Sequence, residues 1–154
     1  LSPRMRFDLT VSEFTRAMVL GENLLVYDAN TWRPYCHLRD FGELIRRVLE
    51  APRDRVAFEV FNAGGSRNNF TKQMIVDAIL KQVPDGKVRF QEHGSDPRNY
   101  RVDFTKVRNT LHFEPAFGIP DGIRELVAAL DQGLFRDLGN SQAFHGNWEI
   151  PDIT

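Results

Sequence analysis

The chain has 154 residues, 42% of them hydrophobic and 27% charged, with a net charge of -1. That length supports one good hydrophobic core, and the near-zero charge excludes a basic face for nucleic acid, so any anion site has to be a local cluster. The single cysteine, Cys36, has no partner for an internal disulfide, and no apolar run approaches the roughly 20 residues of a membrane span, which together imply a soluble, cytoplasmic protein that neither enters a membrane nor binds nucleic acid.

The amino end begins abruptly with Leu1-Ser2-Pro3-Arg4, without an initiator methionine or a signal peptide, and reads as a piece of something longer. After polar Thr10, the residues Val11, Phe14, Met18 and Val19 recur at helical spacing, and Gly21 suits a left-handed stop. Residues 24–27 make a short strand, and the turn-rich Asp28-Ala29-Asn30-Thr31 allows residues 35–38 to return beside it as a hairpin that brings Tyr27 near Arg33. Asp40 with Glu43 three positions on reads as a helix start. The stripe Phe41, Leu44, Ile45, Val48 and Leu49 then stops before Pro52.

Residues 56–61 read as a strand, residues 62–66 as a glycine loop, and Thr71 as the cap of a helix whose inward face is Ile75, Ala78, Ile79 and Val83. Pro84-Asp85-Gly86 is a turn, residues 88–91 a strand, and residues 105–111 a helix that Pro115 keeps short. Pro120 suits the first turn of a last helix, with Ile123, Leu126, Val127 and Leu130 inward and Gly133 at its end. Regularity fades from Asp137, although Phe144 and Trp148 suggest a tail that docks. The chain thus divides into a domain over residues 1–136 and an irregular tail over 137–154.

Gly64-Gly65 fits either a phosphate-cradling loop or a turn that needs positive φ; without G-x-G-x-x-G or a G-K-[ST] ending, the turn is the simpler reading. The four histidines sit on separate elements, so no metal site is expected. His37 falls in a presumed alternating strand, where its side chain and that of Cys36 point to opposite faces; both read as packing residues. Sixteen of the 20 cations are Arg, either as a chain-wide bias or for phosphate recognition, and only position separates the two.

Position is most telling in residues 95–106, Ser-Asp-Pro-Arg-Asn-Tyr-Arg-Val-Asp-Phe-Thr-Lys, which bring two guanidinium groups and a phenol together before a helix start. Arginine offers a planar fork of donors matched to phosphate oxygens, and the tyrosine adds a flat ring with a hydroxyl. Together with Arg33-Pro34-Tyr35-Cys36-His37-Leu38-Arg39-Asp40, the start at Ser2-Pro3-Arg4-Met5-Arg6-Phe7-Asp8-Leu9 and the run Glu59-Val60-Phe61-Asn62-Ala63-Gly64, this pattern resembles the extended short-chain dehydrogenases/reductases that epimerise or dehydrate nucleotide sugars with NAD, over their carboxyl-terminal half.

The resemblance implies an α/β fold: the substrate-binding portion of an extended Rossmann-type enzyme, with short strands and about five helices but without the dinucleotide-binding unit. It implies diphosphate contact by Arg33, a ligand contact by Tyr100, a base pocket lined by Leu25, Val26 and Tyr27, and substrate-facing positions at Thr10 and Val11. Where some relatives carry a further phosphate arginine this chain has His93, which Arg98 compensates. Family catalysis uses a Tyr-x-x-x-Lys pair beside a nicotinamide; the three tyrosines here are followed four residues on by Thr31, Arg39 and Phe104. NAD or NADP is therefore expected on an amino-terminal Rossmann portion outside this chain. The expected partners are a nucleoside-diphosphate sugar, that portion, and a second copy of the chain. A stand-alone, non-catalytic nucleotide-sugar-binding or interaction module is the alternative reading.

Overall fold

In a computed structural model, which describes residues 1–2, 5–94, 96–135 and Leu138, the first helix α1 (Thr10–Val19) turns Phe14, Ala17 and Met18 into the core. It ends as the spacing predicts: Gly21 takes φ +71° and its amide donates to the Met18 carbonyl at 3.1 Å. Strand β1 (Asn23–Tyr27) alternates exposed and buried positions, so Leu24 and Val26 enter the core while Leu25 and Tyr27 face outward.

The expected hairpin does not form. β1 pairs in parallel with β4 (Lys87–Gln91), whereas β2 (Trp32–Pro34) pairs antiparallel with β3 (Asn69–Thr71), Arg33 lying opposite Phe70. Asp28 explains the difference. At φ +50° it turns the chain out of the sheet, and its carboxylate accepts the His93 and Gly94 amides at 2.9 Å each, so the loop after β4 occupies the space a returning strand would need.

Helix α2 (Leu38–Glu50) starts three residues earlier than a cap at Asp40 would give. The cap is His37, whose Nδ1 accepts the Arg39 amide at 3.2 Å, so residues 35–38 are not a strand. Asp40 is instead buried and accepts the Ala116 and Phe117 amides at 2.8 and 3.0 Å, tying α2 to the approach of the last helix. Leu44 and Val48 of the stripe pack inward; Phe41, Ile45 and Leu49 are exposed.

A short α3 (Arg53–Val56) stands where a strand was expected to begin, which makes six α-helices among the described residues rather than about five. Residues 57–62 are not laddered, because no described strand lies beside them, and Phe58 sits fully exposed at φ +62°. The glycine loop leads into a 3-10 turn (Ser66–Asn68) and β3 before α4 (Lys72–Leu80). There the expected cap is present, the Thr71 hydroxyl accepting the Met74 amide at 3.1 Å. Helix α5 (Thr105–Leu111) and helix α6 (Ile119–Asp131) follow; Pro120 stands in the first turn of α6 and Gly133, at φ +63°, lies just past its end. The tail residues Phe144 and Trp148 lie outside the described residues.

The main core joins α1, β1, α4 and α6 through Phe14, Met18, Val26, Ile75, Ile79 and Ile123, and a second joins α2 to α5 through Leu44, Val107, Leu111 and Phe113. Two glycines probe this packing in opposite senses. Gly64 has φ +147°, and an added Cβ would stand 2.8 Å from Cε1 of the buried Phe104, whereas Gly42, inside α2, has open space around it. Gly42→Ala is expected to raise stability by about 0.5–1 kcal/mol through reduced backbone entropy of the unfolded chain, and Gly64→Ala to lower it by about 2 kcal/mol. Denaturant midpoints moving in the same direction would contradict the Gly64 packing.

Candidate functional site

A cavity of about 600 Å³ opens between the start of α1, the chain following β2, residues 96–98 and the approach to α6. Four of the eight candidate residues line it: Thr10 and Val11 from the first turn of α1, Arg33 from β2, and Arg98 from the loop after β4. A fifth, Tyr100, does not line it but lays its ring against Arg33, 5.1 Å from the guanidinium carbon. Leu25 and Tyr27 lie on the outer face of β1, away from the cavity walls. Val26 is 1% exposed in the main core, so the pleat that turns Leu25 and Tyr27 outward removes it from any ligand.

Arg33 is shielded, with 15% of its side chain exposed, and it is held from three sides. Nη1 donates to the Trp32 carbonyl at 2.7 Å, Nη2 to Asp96 at 2.9 Å, and the third contact is the Tyr100 ring. Arg98 is 71% exposed and makes a two-pronged pair with the same carboxylate, Nε at 2.8 Å and Nη2 at 2.9 Å. Asp96 thus joins the two arginines. Bonds from the Arg98 side chain and amide, and then from Arg33, hold its carboxyl well below the ordinary range, and the Arg98 guanidinium is raised in turn. The sequence reading missed Asp96, although its place two residues before Arg98 is where a short Asx-type turn forms.

Two further polar atoms on the cavity were not anticipated. The Tyr35 hydroxyl oxygen is shut off from solvent without a well-formed hydrogen bond, and burial raises the phenol, with Thr10 and Arg33 partly offsetting it. Asn68 is 2% exposed; its Nδ2 donates to the Phe117 carbonyl at 3.0 Å while its Oδ1 meets no donor. Buried polar atoms ordinarily find partners, so these two stand out in the wall of the cavity. Nothing in the sequence singles out Asn68, since asparagine in a loop signals a turn.

The remaining candidates are structural. The His37 ring stacks on Phe117 with centroids 4.7 Å apart and its Nε2 lies 3.3 Å from Glu125, in addition to capping α2. The Cys36 thiol is pushed up to about 11, first by burial and then by the Asp40 charge. Among the described residues, no group of His, Cys, Asp and Glu is placed to hold a metal ion, and no helix is long and apolar enough to cross a membrane. An added Cβ would stand 2.8 Å from Phe104 at Gly64 and 2.7 Å from Pro115 at Gly65, so both glycines allow close packing of neighbouring side chains.

With this geometry in place, the comparisons are informative. Over 119 residues, 70% of its length, the chain is 33% identical to dTDP-glucose 4,6-dehydratase of Xanthomonas campestris, covering 33% of that protein. The chain belongs to the extended short-chain dehydrogenase/reductase family of nucleotide-sugar epimerases and dehydratases. It is also 28% identical over 140 residues to UDP-glucuronic acid decarboxylase 4 of Arabidopsis thaliana, matching 88% of this chain and 30% of that one. The family fold is seen in UDP-glucuronic acid 4-epimerase from Bacillus cereus, solved with UDP-glucuronic acid and NAD: TM-score 0.74, 20% identity, 88% of this chain and 43% of that chain. UDP-glucose 4-epimerase from Thermotoga maritima, solved with UDP-glucose, gives a TM-score of 0.70 at 23% identity, with 82% and 40% covered. No family model matches the chain. The chain spans about a third of the length of the curated relatives it matches.

The thiol offers a direct check on this geometry. At pH 8, where an ordinary thiol is partly ionised, Cys36 is expected to react with an aromatic disulfide reagent at least tenfold more slowly in the folded protein than after denaturation, and to gain reactivity as pH rises toward 11. Because the folded value lies above the ordinary one, ionisation of the thiol in the unfolded chain also draws stability down as pH rises from about 9 to about 11. Equal folded and unfolded rates at pH 8 would show an open thiol of ordinary reactivity.

Proposed function

We propose that this chain is the nucleotide-sugar-binding portion of an NAD(P)-dependent nucleotide-sugar epimerase, dehydratase or reductase, and that the ligand sits in the cavity of about 600 Å³. The observation that carries this reading is the convergence of Arg33 and Arg98, two guanidinium groups from distant parts of the chain, on one cavity. Arg33 and Arg98 hold the diphosphate, Tyr100 fixes Arg33, and Thr10 meets a ligand hydroxyl. The nicotinamide supplies transient hydride transfer at a sugar carbon and is held by an amino-terminal Rossmann portion outside this chain. The residues here bind and orient; rate comes from presenting the sugar to that portion in a reactive geometry.

A charge-assisted bond to phosphate contributes roughly 1.5–3 kcal/mol, so Arg33→Ala should weaken UDP binding about ten- to a hundredfold in calorimetry. Arg98→Ala should cost less, because its side chain is 71% exposed. Unchanged affinity on removing Arg33 would leave it a purely structural role.

The same proposal accounts for the apolar outer surface. Leu49 and Val60 are 80% exposed and Phe58 is fully so, on α2 and the unladdered residues 57–62. Large apolar side chains exposed to this degree are what a second portion of the protein or a second copy covers. The chain on its own should therefore self-associate, and Phe58→Ser with Val60→Ser should reduce the association. A 17.7 kDa monomer by light scattering at high concentration would overturn this expectation.

A further inference from the structure

We propose that Asp96 is a charge-setting residue that weakens the cavity's hold on bare anions, so that occupancy depends on the nucleoside or sugar the phosphates carry; this rests on the anion-binding reading of Arg33 and Arg98.

The geometry points to it directly. One carboxylate receives four donors: Arg33 Nη2 at 2.9 Å, Arg98 Nε at 2.8 Å, Arg98 Nη2 at 2.9 Å and the Arg98 amide at 3.1 Å. Two guanidinium charges and one carboxylate leave a local charge of +1 where the arginines alone would give +2. An incoming phosphate must share donors with a fixed negative charge, and the like charges repel. A small anion has nothing else to offer. A ligand that carries a nucleoside or sugar can also contact the uncharged lining of the same cavity, Thr10, Val11 and Phe117 among it. Asp96 therefore converts a strong general anion site into a selective one.

Arg33 does not need the Asp96 charge to stay in place, because the Trp32 carbonyl and the Tyr100 ring also hold it. The charge and positioning roles can thus be separated. In Asp96→Asn the shape and one acceptor remain while the negative charge is lost; in Asp96→Glu the charge remains.

The experiment is calorimetry of pyrophosphate, UDP and uridine with the wild-type protein and both variants, at low and at moderate salt. Asp96→Asn should bind pyrophosphate about tenfold more tightly than the wild type, with a steeper loss of affinity on adding salt and no change for uridine. Asp96→Glu should stay close to the wild type. Pyrophosphate affinity that is unchanged or weaker in Asp96→Asn, or an equal gain in Asp96→Glu, overturns the proposal and makes Asp96 a structural brace. The two readings fail separately: if the wild type binds no UDP yet Asp96→Asn gains pyrophosphate, the nucleotide reading falls and the charge role stands. If the wild type binds UDP and Asp96→Asn gains nothing, the reverse holds.

Discussion

The site depends on a stitch between a loop and a two-stranded ladder. Residues 96–102 have no secondary structure of their own, yet they carry Asp96, Arg98 and Tyr100. They are held by the side-chain amide of the buried Asn69, which donates to the Val102 carbonyl and accepts the Val102 amide at 3.0 Å each, as a neighbouring strand would. The Asn99 side chain accepts the Trp32 amide at 2.9 Å, the Tyr100 amide donates to the Trp32 carbonyl at 3.3 Å, and Arg101 lies over the Trp32 ring. Each such bond contributes only about 1 kcal/mol net, but several acting on one short segment leave it a single low-energy path. Without them Arg98 and Asp96 would have no fixed relation to Arg33.

The β2–β3 ladder that receives this stitch is itself supported from the core. Thr71, the last residue of β3, caps α4, and α4 buries Ile75, Val76 and Ile79 against α1 and α6. Tyr35, just past β2, donates its amide to the Asn68 carbonyl at 2.9 Å, which extends the pairing of the two segments beyond the ladder. The position of Arg33 thus follows from hydrophobic burial several residues away, through the strand pairing. Because the contacting segments are far apart in the chain, the cavity is complete only once the whole core has formed.

How much of this could be read in the sequence follows from which interactions are local. The helix over residues 10–19, the Gly21 and Gly133 stops, the Thr71 cap and the Pro120 start all depend on residues within a few positions of one another, and each is present in the structure. Strand partners are not local. Leu24 and Val26 signal a strand, but only the Asp28 contacts to His93 and Gly94 show that β4 pairs with it. Asp40 looked like a helix cap because its spacing to Glu43 fits one; its actual partners, the amides of Ala116 and Phe117, lie more than 70 residues away. Arg33 and Arg98 stood out through residue type, whereas Asp96 and Asn68 became visible only as the groups around them were placed.

Helix α2 shows the same limit from the other side. Its apolar stripe is wide enough for two neighbours, and burial of Leu44 and Val48 against Val107 and Leu111 uses only one edge of it. Phe41, Ile45 and Leu49 continue the stripe around the helix, and residues 57–62 bring Phe58 and Val60 to the surface with them. A helix that needed only one neighbour would place polar residues at positions 41, 45 and 49 at no cost to its inner packing. Periodicity reports the total apolar width of a helix and not how that width is divided between partners. The stripe on α2 is thus wider than the surface its neighbours in this chain cover.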